Sequence, residues 1–170
     1  MSCRHTTLSE YGHALLDKKY KGKAPGKPVA HSPCTASDKG TAFEEGFCNF
    51  FSSAVRKDPN YEDTTDQDLK WNIEDGWVNK PENKCKTEGS DVEMNVQGAL
   101  WDMVDGGKDF PNTGKDEDLV IPFKKIWKAV CKKPKTFKEF VGELKKLLND
   151  KEKEKLDTVI KLNRMDPANL

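Results

Sequence analysis

The sequence predicts a mostly α-helical fold with little or no sheet, and three observations lead to this prediction. Apolar residues recur at helical spacing in six stretches of the 170-residue chain. Three of these stretches contain a Thr-x-x-Glu capping box, which is a signal for a helix N-terminus. The three boxes begin at Thr7, Thr41 and Thr136. Only one stretch alternates apolar and polar residues as a half-buried strand does.

The predicted helices differ in the kind of face that they bury. Leu8 and Leu15 share one face of the first helix, and Gly12 beside them would let another backbone come close. The second helix presents a broad aromatic face that includes Phe43 and Phe47. The helices are predicted at residues 7–20, from 41 to the Asp-Pro-Asn turn at 58–60, and at 92–104, 123–131, 136–148 and 151–162.

The connections between these helices are polar or rich in Pro and Gly. The alternating stretch, residues 69–78, is predicted to be a short extended segment. The acidic stretch 62–68 lacks the glycine and the spacing of an EF-hand, so a solvated loop is favoured over a calcium site. The predicted loops are residues 21–39, 62–68, 80–90 and 111–118.

Composition and charge exclude several classes of function. By length, residues 1–170 are expected to form a single domain. The 29 basic and 29 acidic residues cancel, which gives no case for a nucleic-acid partner or an anionic membrane surface. No apolar run approaches the ~20 residues of a membrane span. The first residues contain no apolar signal-peptide core, and no nucleophile elbow or glycine-rich phosphate loop is present.

Five cysteines occur without a C-x-x-C pair, which disfavours a zinc knuckle or a thioredoxin-type site. Cys34 and Cys85 lie in predicted loops and are the pair expected to form a disulfide in an oxidising compartment. Cys48 and Cys131 fall in apolar helical stretches and are expected to be buried thiols. The fifth cysteine is Cys3, and the odd number leaves at least one of the five without a partner.

A short stretch of the first helix carries the first functional signal. Residues 9–16 read SEYGHALL, so that Ser9 and His13 are spaced i, i+4 on one helix face, with Glu10 between them. This resembles the H-E-x-x-H helix of zinc metallopeptidases with serine in place of the first histidine. The alternative is structural: Glu10 would complete the capping box with Thr7, and His13 would be a surface or packed histidine.

The second helix carries a matching signal. Residues 44–51 read EEGFCNFF and resemble the "EGWADFF" helix of gluzincins, the zincins whose third metal ligand is a glutamate on a later helix. Residues 92–105, VEMNVQGALWDMVD, resemble a further helix of secreted gluzincin-like proteins. The resemblance puts the glutamate ligand at Glu45, and the capping box would give the neighbouring Glu44 a structural role. Asn49 then stands where those proteins carry an aspartate that orients a zinc histidine.

The resemblance implies a zinc site with one ligand missing. His13 and Glu45 would ligate zinc, Glu10 would activate water as the general base, and Asn49 would orient His13. Ser9 would be a vacated ligand position, because a neutral serine is a poor zinc ligand. His31 is either a substitute ligand or a solvated loop histidine, and the loop interpretation is favoured.

The resemblance also implies a fold and a function. The fold would be the helical, C-terminal part of a gluzincin. Because the motif begins almost at residue 1, either the upstream half was lost or the chain is a fragment of a longer protein. The function would be hydrolysis of a peptide or protein substrate by metal-activated water, impaired by the loss of one histidine ligand. The alternative is a catalytically inactive helical scaffold or interaction protein. An extracellular location is suggested by the same resemblance.

Overall fold

The computed structural model describes residues 5–63, 69–106 and 119–170 and confirms a mostly helical fold. None of the helices in these ranges combines the length and the apolarity that a bilayer crossing requires. The helices are α1 His5–Tyr20, α2 Lys39–Arg56, α3 Glu93–Asp105, α4 Phe123–Val130, α5 Phe137–Lys145 and α6 Asp150–Leu162, followed by a 3-10 turn, Pro167–Asn169. The strands are β1 Asn60–Asp63, β2 Leu69–Asn72 and β3 Trp77–Val78.

Two of the three predicted capping boxes do not cap their helices. α2 begins at Lys39, and its N-cap is Asp38, whose carboxylate accepts hydrogen bonds from the N–H groups of Gly40 and Thr41. The prediction that Thr41 caps this helix was therefore wrong, because the helix starts two residues earlier. α1 likewise extends to His5, ahead of Thr7. At α5 the prediction was right, since Thr136 accepts from the N–H of Glu139.

α2 is the central helix and packs against α1 on one side and α3 on the other. Glycines permit both contacts. A Cβ on Gly12 would lie 3.3 Å from the Cα, Cβ and Sγ of Cys48, and a Cβ on Gly46 would lie 2.8 Å from the Cβ of Val96. The close approach predicted for Gly12 is therefore made by α2.

The aromatic face predicted for α2 lies in the core. Phe43, Phe47 and Phe50 are fully buried, and they are joined by Phe137 and Phe140 of α5. The opposite face is also covered, because α1 and α3 pack over it. The polar side of α2 therefore lies between helices, with Asn49 and Ser52 buried and Glu45 partly covered.

A small antiparallel sheet follows α2 in the order β1-β2-β3. Tyr61 pairs with Trp71, and their rings stack with centroids 4.1 Å apart. The extended segment predicted at 69–78 supplies β2 and β3. Glu62, which was predicted to lie in an acidic loop, lies instead in β1 opposite Lys70. The remaining loop residues 64–68, and the loop at 111–118, lie outside the described residues.

The cysteine predictions are largely confirmed. Cys34 and Cys85 form a disulfide with their Cα atoms 5.0 Å apart. Cys48 is a buried free thiol, as expected. Cys131 is only half-buried, which corrects the prediction, because it lies just beyond the last residue of α4. Cys3 lies outside the described residues.

Candidate functional site

The contact between α1 and α2 places His13 between two consecutive glutamates. Its Nδ1 lies 3.1 Å from Glu44 Oε1, and its Nε2 lies 3.2 Å from Glu45 Oε2. The imidazole is half-buried. Gly12, the residue before His13, lets α1 approach α2 closely enough for both carboxylates to reach the ring.

Ser9, which the resemblance places at a zinc-ligand position, lies in a buried hydrogen-bond chain. Ser9 is 5% exposed, and its Oγ donates to Asn49 Oδ1 at 3.1 Å. The Asn49 amide donates from Nδ2 to Glu93 Oε1 at 2.7 Å. Because the carboxylate of Glu93 can only accept here, this bond fixes the orientation of the Asn49 amide and makes Ser9 the donor.

His31 joins these two groups into one cluster. Its Nδ1 lies 3.1 Å from Glu93 Oε2, and its Nε2 lies 3.6 Å from Glu45 Oε1. The imidazoles of His13 and His31 thus face different oxygens of the same Glu45 carboxylate. Each also has a second carboxylate beside its Nδ1 atom.

The loop that carries His31 is fastened to the start of α3. The N–H of Met94 donates to the carbonyl of Pro33 at 2.9 Å, and the N–H of Ser37 donates to the carbonyl of Asp91 at 2.8 Å. The disulfide at Cys34, three residues after His31, adds a covalent link to the segment before α3. His31 is therefore held near the N-terminus of α3, where Glu93 is the first helical residue.

The carboxylates beside the two histidines raise the pKa of both imidazoles. Burial alone would lower the pKa of His13, but hydrogen bonds to Cys48, Glu44 and Glu45 outweigh it and raise that pKa far above the ordinary 6.5. Burial raises the pKa of the Cys48 thiol to about 11, so at neutral pH this group is a neutral thiol. The two carboxylates are therefore the charges that keep the His13 imidazole protonated.

The second histidine behaves in the same way. The hydrogen bond to Glu93 outweighs burial and raises the pKa of His31. Burial in turn raises the pKa of Glu93, which is 3% exposed. Burial would also raise the pKa of Glu44, but hydrogen bonds from His13 and from the N–H of Gly26 outweigh it and lower that pKa.

The structure brings some of the predicted site residues together and separates others. His13 and Glu45 are in contact, and Ser9 lies one helical turn before His13 on the same helix. Glu10 is exposed on α1. Asn49 hydrogen-bonds Ser9 and Glu93, whereas the resemblance implied that it would orient His13.

Sequence reasoning missed two carboxylates that contact the histidines. Glu44 was assigned to a helix cap, but it contacts His13 Nδ1 because α2 begins earlier than predicted. Glu93 was given no role, although an acidic residue at the start of an otherwise apolar helix was a usable signal. His31 was predicted to be a solvated loop histidine, and it is exposed, but its ring also contacts Glu93 and lies near Glu45.

The donor set can be compared with the needs of zinc, the metal that the resemblance implies. Two imidazoles and a glutamate are the protein ligands of one class of catalytic zinc site. Two atoms that each lie ~2.0–2.2 Å from a tetrahedral zinc are about 3.3–3.6 Å apart. The contacts of Glu45 with His13 and His31, at 3.2 and 3.6 Å, are close to that range. The donor types are those of zinc ligands, but among residues 5–63, 69–106 and 119–170 no group of three or more His, Cys, Asp or Glu side chains is arranged so that it could hold a metal ion.

Comparison with known proteins gives a family for this chain. Residues 1–162 match the family model described as Mycolysin C-terminal domain. No curated protein and no solved structure matched the chain. The match spans nearly the whole chain, and the helical architecture agrees with it. The chain therefore belongs to the Mycolysin C-terminal domain family, which is related to metallopeptidases.

Proposed function

We propose that this protein is a metallopeptidase-type domain that acts on, or binds, peptides or proteins and whose hydrolytic centre is impaired at position 9. The observation that carries the proposal is the Ser9–Asn49 hydrogen bond beside the retained pair of His13 and Glu45. His13 of α1 and Glu45 of α2 are thus the ligands that the family resemblance assigns, while the first ligand position holds a buried hydroxyl.

His13 and Glu45 would hold the zinc ion that this zinc-dependent family uses. Zinc, when bound, supplies a Lewis acid that polarises the substrate carbonyl and lowers the pKa of water. Glu10 lies on the same helix and is exposed, so its carboxylate is accessible to a substrate and is the candidate general base. Beside His13, Glu44 and Glu45 an open cavity of about 350 Å³ gives solvent access to the cluster.

The loss of one imidazole should be costly. Changes to groups that only orient a metal ligand reduce metal affinity by roughly 10–100-fold, and the removal of a ligand should cost at least as much. The Ser9 hydroxyl also donates its proton to Asn49 Oδ1, so the serine oxygen stays neutral and does not act as a charged ligand. Weak zinc binding and little or no peptide hydrolysis are the expected properties of the natural chain.

A second candidate function is an inactive scaffold that binds a protein partner. The specific observation in its favour is that the polar cluster is internally paired. Ser9, Asn49, Glu93, His31 and Glu45 form a continuous series of contacts without a metal. Such a network can hold three helices in register on its own.

The proposal is tested by restoring the missing imidazole with Ser9→His. An imidazole at position 9 lies one turn before His13 and could donate to Asn49 Oδ1, so zinc affinity should rise at least ~10-fold. Zinc titration calorimetry and thermal unfolding with and without Zn²⁺ measure this, and a fluorogenic peptide assay measures hydrolysis. Stabilisation by zinc should follow RT ln(1 + [Zn²⁺]/Kd).

Two matched variants make the result interpretable. Ser9→Ala removes the hydroxyl without adding a ligand and should leave zinc affinity unchanged. Ser9→His combined with Glu10→Gln should keep the gain in zinc affinity and lose any peptidase activity, because an amide cannot accept the proton. If Ser9→His folds and gains no zinc affinity, position 9 is not a vacated ligand site and the scaffold function replaces this proposal.

A further inference from the structure

We infer that a basic groove beside α5 binds acidic polypeptide segments and that its lysines recognise their carboxylates. The inference deepens the proposed function, on which it rests for the polypeptide nature of the partner. The basic groove is open, has a volume of about 720 Å³, and is lined by α5 and by the turn that precedes this helix. Its charged side chains are five lysines and two glutamates, namely Lys39, Lys132, Lys133, Lys138, Lys146, Glu139 and Glu143.

The lining of the basic groove has an unbalanced positive charge. Of its two glutamates, Glu143 is paired with Lys146 at 2.6 Å, and Glu139 accepts the backbone N–H of Lys135. All five lysines are exposed, and the other four are in no ion pair within the part of the chain that the structure describes. With the carboxylate of Leu170 counted as well, five positive groups face three negative ones. A chain with 29 basic and 29 acidic residues thus concentrates cations at one surface, and this surface attracts carboxylates.

The positive surface continues from the basic groove to the candidate site. Lys135 lies in the turn before α5, and its Nζ donates to the carbonyl of Lys23 at 2.6 Å. The hydroxyl of Tyr20 donates to the carbonyl of Pro134 at 2.6 Å, which fastens the end of α1 to this turn. Lys23 in turn lines the cavity beside His13. A polypeptide in the basic groove therefore has a path of exposed lysines to the candidate site, which connects the groove with the proposed function.

The face of α5 that lines the groove has the spacing of an extended peptide. Lys138, Gly142 and Lys146 follow one another at intervals of four residues, so they share one face, and the two lysines lie about 12 Å apart along the axis. Nothing lies within 4 Å of a Cβ built on Gly142, so the space between the lysines is open. Residues four apart in an extended peptide are separated by about 13 Å and point to the same side. A peptide with acidic residues at alternate positions therefore places carboxylates near both lysines.

The types of lining residue favour an acidic polypeptide over a nucleic acid or a membrane. Every cationic side chain that lines the groove is a lysine, whereas phosphate recognition commonly uses the planar fork of arginine. No aromatic ring is among the lining residues, so none can stack on a base. Membrane surfaces are bound by exposed apolar side chains that insert between lipids. The apolar lining residues of this concave surface are Pro134, which is buried, and Leu170, which is half-buried.

The experiment titrates the natural chain with a capped peptide of about nine residues that alternates glutamate and serine, in a buffer that contains EDTA. Two-dimensional ¹H–¹⁵N NMR locates the bound peptide, and the fluorescence anisotropy of a labelled copy gives its Kd. Shifts are expected at the amides of Lys132, Lys133, Lys138 and Gly142. Affinity should fall as ionic strength rises from about 0.01 M to about 0.15 M, because the Debye length shortens from ~30 Å to ~8 Å. A peptide with glutamine in place of glutamate should not bind.

Charge reversal in the groove is compared with the same change elsewhere. Lys132→Glu combined with Lys138→Glu should weaken binding at least ~10-fold, because two attractions worth up to about 5-fold each become repulsions. Lys80→Glu combined with Lys84→Glu alters the net charge equally at exposed positions outside the groove, and should change the affinity less than ~3-fold. Lys133→Gly guards against a loss of fold, because the φ of Lys133 is 62°, where glycine is favoured. This variant should melt at a higher temperature and still bind about 2- to 5-fold more weakly.

The inference is overturned if the peptide leaves the groove amides unshifted, or if the groove and control variants lose affinity equally. Binding of a single-stranded oligonucleotide or heparin of equal charge, without binding of the peptide, also overturns it, because a different polyanion is then the ligand. The zinc test at position 9 gives a separate answer. Peptide binding in EDTA with no zinc gain in Ser9→His supports the basic groove and refutes only the metal site. A zinc gain without peptide binding refutes only the groove.

Discussion

Substitution of Gly46 by alanine tests whether the close contact of α2 with α3 positions the cluster. A Cβ at this position would lie 2.8 Å from the Cβ and Cγ1 of Val96 and 3.1 Å from the carbonyl oxygen of Glu93. Carbon atoms prefer separations of about 3.5–4.0 Å, so the two helices would have to move apart by several tenths of an ångström. Rotation of the Val96 side chain would relieve only the contact with Cγ1, because Val96 Cβ and the Glu93 backbone cannot rotate away.

The magnitude follows from two opposing effects. Overpacking a core contact typically costs about 1–3 kcal/mol, while alanine is favoured over glycine inside a helix by about 1 kcal/mol. Gly142→Ala in α5 is the matched control, because nothing lies within 4 Å of its added Cβ, and it should gain the full ~1 kcal/mol. Gly46→Ala should therefore be about 1–3 kcal/mol less stable than Gly142→Ala.

Urea unfolding followed by circular dichroism at 222 nm measures both variants against the natural chain. Because Glu93 also holds Asn49 at 2.7 Å, Gly46→Ala should in addition weaken that hydrogen bond, which NMR can follow at the Asn49 side-chain amide. If Gly46→Ala is as stable as Gly142→Ala, then α2 and α3 do not pack as closely as described. The contact between Asn49 and Glu93, which depends on that packing, would then be refuted as well.

Two further predictions concern stability away from the cluster. Replacing both Cys34 and Cys85 by serine removes a covalent link between residues 51 apart in sequence, which contributes about 4 kcal/mol by the loop-entropy relation. Urea unfolding should show a decrease of that order in the free energy of unfolding, and an unchanged unfolding midpoint would contradict the prediction. Asn149→Ala removes the N-cap of α6, whose side chain accepts from the N–H of Glu152, and should cost about 1 kcal/mol, whereas Asn149→Asp should cost little. Equal stability of the alanine and aspartate variants in thermal melts would show that this cap contributes nothing.

The helices were largely predictable because their signals are local. Apolar spacing placed α3, α4 and α6 to within a residue of their observed limits, and Thr136 was correctly identified as a cap. The start of α2 was missed because Asp38 and Thr41 are both good capping residues, and only the surrounding chain decides between them. That two-residue difference changed the function of Glu44 from a cap to a partner of His13.

The candidate site was only partly predictable. The pairing of His13 with Glu45 followed from two motifs that lie on different helices, and the sequence offered Gly12 as the place where those helices could meet. Glu93 and His31 were not assigned because they are brought in by a third helix and by a loop. Their contacts join residues 62 positions apart, and no periodic signal connects them.

The sequence by itself determined the helical fold, the disulfide partners and the family resemblance, because each of these depends on residue type and short-range spacing. The tertiary structure alone decided which polar groups surround His13, since this depends on how closely α1, α2 and α3 approach. It also decided that Asn49 of α2 and Glu93 of α3 are buried, where they pair with each other and with Ser9 and His31. Burial joins Ser9, Asn49 and Glu93 into a connected cluster, because a buried polar group that lacks a partner is costly.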